Sequence, residues 1–277
     1  MNLYIIGNGF DIDHDIASKY TDFKQFLSQS GDKNAKTLLE IIEVAYRETK
    51  TDLWRDLEAS IGKLDLDYAI KKDDSYIVQS ITFTNNFSYL FRSWINNIEN
   101  VEIPNVISKE PLNELFNKNE DIFFTFNYTH TLEEIYNINK NNIKYIHVIK
   151  DGVGYEFGHE KVESNNTIGH DSFGFKNFLN QQLIKDTPRI YKDNQSWFEK
   201  LFDKNIESIY FYGFSFADID LIYIKGILNN IDENKLENIY LYNYEGQNEN
   251  EYEQQENILN NLITDTNLHI RVDRFQI

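Results

Sequence analysis

The residues best suited to chemistry in this chain are an asparagine, three histidines, an aspartate and two glycine turns. Asn127 and Tyr128 close the apolar run "IFFTFNY" (122–128) and begin to leave it in "TFNYTHTLE". A side-chain amide carries both donors and an acceptor, so it can hold a ligand hydroxyl or a water. Ligands of open α/β sheets collect beyond the carboxyl ends of strands, where Asn127 and Tyr128 are expected. The plainer role is a cap for the next helix, a task Thr129 could do equally well. His147 ends "IKYIHVI" (143–149), and a neutral imidazole is the side chain best placed to take a proton near neutral pH. His159 in "FGHE" and His170 in "IGHD" repeat a Gly-His-acid step. With Glu160 or Asp171 the three histidines could bind zinc, but no His-Glu-x-x-His or comparably close pair exists. No metal site is assigned.

Gly7-Asn8-Gly9-Phe10 follows the apolar run Leu3–Ile6. Glycines there allow a tight turn and a close approach to a phosphate met by backbone N–H groups. The third glycine of the dinucleotide fingerprint is missing, and no Gly-Lys-Ser/Thr of a Walker loop follows, so a ligand-free turn is the competing reading. Asp11 comes two residues after the second glycine, and phosphate binding does not explain that carboxylate. "YGFSFADID" (212–220) supplies a second turn with Gly213, Ser215 and Asp218. Its Gly-x-Ser-x-Ala looks like a nucleophile elbow, which needs an acid and then a histidine downstream. Only His269 follows, so a phosphate- or ribose-contacting turn fits better. Asn243 and Glu245 in "YNYEG" offer donors and acceptors to a ribose.

Positioning these groups falls to a regular alternation. Apolar runs at 3–6, 122–128, 143–149, 206–215 and 236–244 read as buried strands, with 268–275 as a possible edge strand. A helix starting near Tyr20 follows the first turn, and helical patterns at 129–138, 217–230 and 249–263 make crossovers. The expected fold is α/β, a doubly wound, mostly parallel sheet. The interval 34–118 breaks the rhythm. Leu38, Ile41, Ile42 and Ala45 share one helical face, and Phe87, Leu90, Phe91, Trp94, Ile95 and Ile98 another. It reads as a helical insertion after the first βα turn of a single domain covering 1–277, its aromatics serving as core. Residues 151–195 are polar and glycine-bearing, the pattern of an active-site loop.

The bulk composition bounds the rest. The chain has 277 residues, no cysteine and a formal charge of −18. Disulfides, thiolate nucleophiles and cysteine-ligated zinc are excluded. The charge repels polyanions, and no basic stripe offsets it: Lys71-Lys72 sits beside Asp73-Asp74, so no nucleic acid is expected as partner. The acids Glu245, Glu249, Glu251, Glu253 and Glu256 read as a solvated helix face. No apolar run spans a bilayer, and the first lacks the basic flank of a signal peptide, so no membrane association and a cytoplasmic location are expected.

The blocks "YIIGNGFDIDHDIASKYTDF", "WRDLE" (54–58), "FFTFNYTHTLEEIY", "IHV" followed by "FGHE", and "YFYGFSFADID" occur in a particular order and spacing. Over residues 2–260 that order resembles the bacteriophage abortive-infection AbiH family. The family in turn looks like a divergent branch of the sirtuin-like NAD-binding fold of Rossmann type. The resemblance implies that Gly7 and Gly9 approach the pyrophosphate of NAD. It further implies that Asn127 holds the nicotinamide ribose and its water, and that His147 is the general base. Gly213 and Ser215 would meet phosphate or ribose, and Asn243 the adenosine ribose; Asn8, Phe10, Tyr128, His159 and Glu245 complete the nucleotide-contacting set. Two departures stand out: "HVIKDG" replaces the usual His-Gly after the third strand, and the zinc-binding cysteines of protein deacylases are missing.

Hydrolysis of NAD to nicotinamide and ADP-ribose is therefore the implied activity, with NAD as substrate and no further cofactor required. Asp11, and with it Glu58, would steady the positive charge that develops on the ribose. Implied partners are the nucleotide, further copies of the chain and a phage-derived trigger. Two rivals stay open: a sensor that binds NAD or ADP-ribose without turnover, and a metal-dependent nuclease-type toxin built on His159 and Asp171.

Overall fold

A computed structural model of the chain describes residues 1–149, 154–161, 174–266 and 268–277. Its strands are β1 (Asn2–Ile6), β2 (Ile122–Thr125), β3 (Ile143–Tyr145), β4 (Ser208–Tyr212), β5 (Asn238–Tyr242) and β6 (Val272–Phe275). Between β1 and β2 lie α1 (Gly9–Asp13), α2 (Tyr20–Gln29), α3 (Lys33–Ala45), α4 (Lys50–Leu53), α5 (Leu57–Ile61), α6 (Leu66–Lys72), α7 (Tyr76–Asn97) and α8 (Glu110–Leu115). After β2 come α9 (Thr131–Tyr136), α10 (Phe175–Gln182), α11 (Thr187–Asp193), α12 (Gln195–Glu199), α13 (Leu221–Leu228) and α14 (Glu249–Thr264).

The chain forms two compact units, Met1–Ile16 with Glu99–Ile146 and Thr187–Ile277, and Ala17–Ile98 with His147–Asp186. The first holds the sheet. All its strands are parallel, in the order β3-β2-β1-β4-β5-β6. That is the strand order of dinucleotide-binding α/β folds, whose direction of winding reverses between β1 and β4. Ile6 stands opposite both Thr125 and Tyr212, so the turns after β1, β2 and β4 leave the sheet at one level.

The four central strands β1, β2, β4 and β5 are largely apolar because both faces are covered. Side chains alternate along a strand, and the two sets feed different cores. Leu3, Ile5, Phe124 and Phe211 pack with α11, α12, α13 and α14. Tyr4, Ile6, Phe123 and Tyr212 pack with Phe10 of α1, Leu112 of α8, and Leu132 and Tyr136 of α9. Aromatic rings bridge the strands on this second face: Tyr4 stacks on Phe123 and Tyr210, and Tyr210 on Tyr240, at centroid separations of 5.0, 4.9 and 4.6 Å.

The second unit is helical. The faces read from the sequence in 34–118 are core, with Leu38, Ile41, Ile42, Phe87, Leu90, Phe91 and Trp94 buried. Phe23 of α2 packs edge-on against Phe87 and Phe91 of α7. The last strand lies at the sheet edge, as its incomplete alternation indicates. Two local readings differ. A five-residue helix, α1, begins at Gly9, ahead of the expected helix at Tyr20. The polar segment 151–195 carries α10 and α11, in which Leu179 and Ile190 are buried. Among the described residues no helix is long and apolar enough to cross a membrane. His170 and Asp171 lie outside the described residues.

Candidate active site

Asp11 sits in the first turn of α1 with only 1% of its surface exposed. Thr129 Oγ1 donates to its Oδ2 at 2.5 Å, and Thr131 Oγ1 to its Oδ1 at 2.8 Å. The side chains that follow β2 alternate, Thr129 and Thr131 buried with His130 exposed between them, which delivers both hydroxyls to one carboxylate. Burial pushes the Asp11 pKa up to about 6; the bonds from Thr129 and Thr131 and the nearby Asn127 side chain pull the other way, and Glu99 adds to the rise. Asn127 is itself 5% exposed; its N–H donates to Thr125 Oγ1 at 3.1 Å, and its Oδ1 is buried without a partner among the described residues. Neither Asn127 nor Thr129 caps α9, whose N-cap position is His130 with no side-chain bond.

The glycines have a backbone explanation. Gly7 N–H donates to Tyr212 O (3.0 Å), Gly9 N–H to Gly213 O (2.9 Å), and Phe10 N–H to Gly7 O (2.9 Å). Gly213 has φ +64°, and a methyl group on Gly9 would stand 2.6 Å from Gly213 Cα. The turns after β1 and β4 thus press together at the switch point, closer than any side chain permits. The amides of Gly7, Gly9 and Phe10 are already satisfied, while Asn8 is exposed on the same turn. After Gly213 the chain anchors Phe214 on Phe126 and Phe216 on Phe211. Ser215 between them is exposed, and Phe216 takes φ +57°, unusual for a bulky residue. Asn243 is buried beyond β5; with its amide oxygen turned to Arg274 it accepts from Nη1 at 3.1 Å, and Glu245 is exposed.

A second cluster adjoins the first turn and was not singled out from sequence. Asp13 accepts from Lys109 Nζ at 2.7 Å and from the hydroxyls of Tyr212 and Tyr242. Burial works against its ionisation, but Lys109 and the Tyr212 hydroxyl outweigh it and hold the pKa below the usual carboxylate value. His14 Nδ1 lies 2.7 Å from Phe10 O, so that nitrogen carries the proton and Nε2, 2.5 Å from Tyr136 Oη, accepts. Tyr136 in turn accepts from Lys109 N–H at 3.1 Å. Burial lowers the His14 pKa and keeps the ring neutral. Asp13, His14 and Lys109 line an open cleft of 490 Å³ with Asp15, Glu102 and Ile107. Phe10 and His14, four residues apart, pack at 4.5 Å between ring centroids. His130 was also passed over. Its N–H and Nδ1 meet Glu99 Oε1 at 2.6 and 3.1 Å, and that carboxylate raises its pKa.

In the second unit His147 is 2% exposed, and its carbonyl accepts from Glu156 N–H at 2.8 Å. β3 ends before it, at Tyr145. His159 is buried under Gly62, with Nδ1 2.5 Å from Glu160 O. Glu58 of "WRDLE" accepts from Tyr20 Oη at 2.7 Å and from Lys185 Nζ at 3.0 Å, and the lysine side chain is 1% exposed. Of the residues read from sequence, the first unit therefore brings Asp11 to Asn127 and Gly7 and Gly9 to Gly213, while His147, His159 and Glu58 belong to the second. Among the described residues no three His, Cys, Asp or Glu side chains are grouped so as to hold a metal.

No match was found among curated proteins or solved structures. A family model described as Bacteriophage abortive infection AbiH matches residues 3–242, from β1 through β5, and takes in the Asp11 turn, the threonine pair and the Gly213 turn. The chain therefore belongs to the bacteriophage abortive-infection family AbiH, and its role lies in abortive infection.

Proposed function

We propose that this abortive-infection protein acts by hydrolysing NAD at the carboxyl edge of its parallel sheet. The observation that carries the reading is the buried Oδ1 of Asn127, without a partner among the described residues and just beyond the level where β1, β2 and β4 all end. That edge is where open α/β sheets bind nucleotides, and an orphaned acceptor inside it is a place for a ligand hydroxyl or a water. In the reaction water adds to C1′ of the nicotinamide ribose. The C1′–N bond breaks, its electron pair neutralises the pyridinium nitrogen, and a proton leaves the attacking water. An amide oxygen beside C1′ aligns that water, and the cationic character of the transition state strengthens the interaction. His147 is the base by resemblance to the sirtuin-like pattern. The test is nicotinamide release measured by chromatography, with and without phage infection. Asn127→Ala and His147→Ala are each expected to lower it by at least about a hundredfold, the usual contribution of a well-placed acid–base group. Full release by either variant removes that residue from the reaction. Saturable ADP-ribose binding with intact NAD in both conditions would instead identify a sensor.

A further inference from the structure

We propose that the outer face of α7 docks against the same face of a second copy of this chain, with the two helices antiparallel and Asn85 on the two-fold axis. Residues 75–91 contain no charged side chain and no histidine, although the whole chain has 45 acids, 27 bases and a net charge of −18. The inner face of α7 buries Phe83, Phe87, Leu90 and Trp94 in the second unit. The outer face is also apolar. Val78 is 66% exposed, Ile81 58% and Tyr89 59%, with Ile77 exposed beside them. Asn85 and Ser88 are exposed too, and Val78, Ile81, Asn85 and Ser88 keep the 3–4 spacing that holds one stripe of a helix toward a partner.

Charge and symmetry name the occupant. Two molecules of this net charge repel over most of their surface, so a face without charge is where they can meet. The same net charge opposes an anionic lipid surface, and the stripe has no lysine or arginine to offset it. A two-fold contact must also be self-complementary. Ile81 and Tyr89 lie four positions to either side of Asn85. An antiparallel pair centred there sets Ile81 against the partner's Tyr89 on both sides of the axis, apolar on apolar. Asn85 meets its own copy, which an amide can do because it carries both donors and an acceptor. A single asparagine among apolar neighbours is also a device that fixes register between paired helices. α7 has 22 residues and is roughly 33 Å long at 1.5 Å per residue. A contact built on one helix pair falls short of the about 800 Å² per partner of a standard interface, so the dimer is weak and forms with rising concentration. It stands whether or not the protein hydrolyses NAD.

The experiment is sedimentation velocity of the full chain over a series from micromolar to hundreds of micromolar. Wild type is expected to pass from monomer to dimer along it. Asn85→Asp and Asn85→Lys each set like charges against one another at the axis, and each should weaken the dimer by at least about tenfold. An equimolar mixture of the two variants should regain it as a heterodimer. Asn85 is exposed, so thermal unfolding of both variants should match wild type. A wild type that stays monomeric throughout overturns the proposal, as does a dimer that neither variant weakens or a mixture that fails to reassociate. Flotation of a monomeric wild type with phosphatidylcholine vesicles would identify lipid as the cover of this face, and overturns it as well.

Discussion

At the scale of single residues the decisive fact is that Asp11 is buried, with a threonine hydroxyl on each carboxylate oxygen. Its proton is held more tightly in the folded state than in the unfolded chain, where the pKa is near 3.8; folded, it rises to about 6. Stability therefore falls as pH rises from about 4 through about 6, and the lost portion stays lost at neutral pH. Asp11→Asn removes the titration. The stability of the variant relative to wild type, followed by urea unfolding, is expected to improve by roughly 3 kcal/mol between pH 3.5 and pH 7, at about 1.4 kcal/mol per pKa unit. Parallel pH profiles would refute the buried charge. His14 contributes with the opposite sign. Its pKa is lowered by burial, so the stability it supplies is present above the unfolded value near 6.5 and lost as pH falls through its folded value. The signal for Asp11 was present in the sequence as an acid after Gly-Asn-Gly. Its partners, Thr129 and Thr131, are more than a hundred positions away and became visible only when β1 paired with β2.

At the scale of elements, two arrangements carry most of the local risk. The turn after β4 needs glycine twice over, for a left-handed φ at Gly213 and for contact with Gly9. Gly213→Ala is expected to destabilise the first unit by roughly 3 kcal/mol or more, combining a strained backbone with a backbone clash. Thermal unfolding close to wild type would contradict this. In the second unit Lys185 is almost wholly buried and bonds to Glu58. Removing one partner of such a pair leaves the other charge in a poor environment, so Lys185→Met should cost about 3–5 kcal/mol. Adding Glu58→Leu should recover most of it. If the double variant is no more stable than the single, the pair is not what Lys185 contributes. Strand positions and the long α7 were legible from apolar run length and helical period. Helix α1 was not, because its five residues are too few for an apolar face to repeat.

At the scale of the whole molecule, the sheet is assembled from distant parts. β1 lies between β2 and β4, with Ile6 opposite Thr125 and Tyr212, and the central strand is incomplete until β4 has been made. The second unit is likewise built from Ala17–Ile98 and His147–Asp186. Non-local pairing of this kind defers its stabilisation until the loop-closure entropy has been met. A chain truncated at residue 206 should therefore lose native near-ultraviolet dichroism and protease resistance. Retention of both would show that β1 and β2 suffice. The six-stranded parallel arrangement was readable from alternating strand and helix patterns, since burial on both faces forces apolar runs. The order β3-β2-β1-β4-β5-β6 was not, because a strand's sequence does not name its neighbours.

The sequence by itself determined the residue types, the alternation that demands a parallel sheet, and the motifs shared with AbiH, because periodicity and spacing are local properties. Tertiary structure alone decided what each polar group touches. It placed the glycines against each other, gave Asp13 to Lys109 and two tyrosines, and turned Asp11 inward onto Thr129 and Thr131. Those partners are fixed by strand order and burial, where desolvation and hydrogen bonding set the charge and orientation of a side chain.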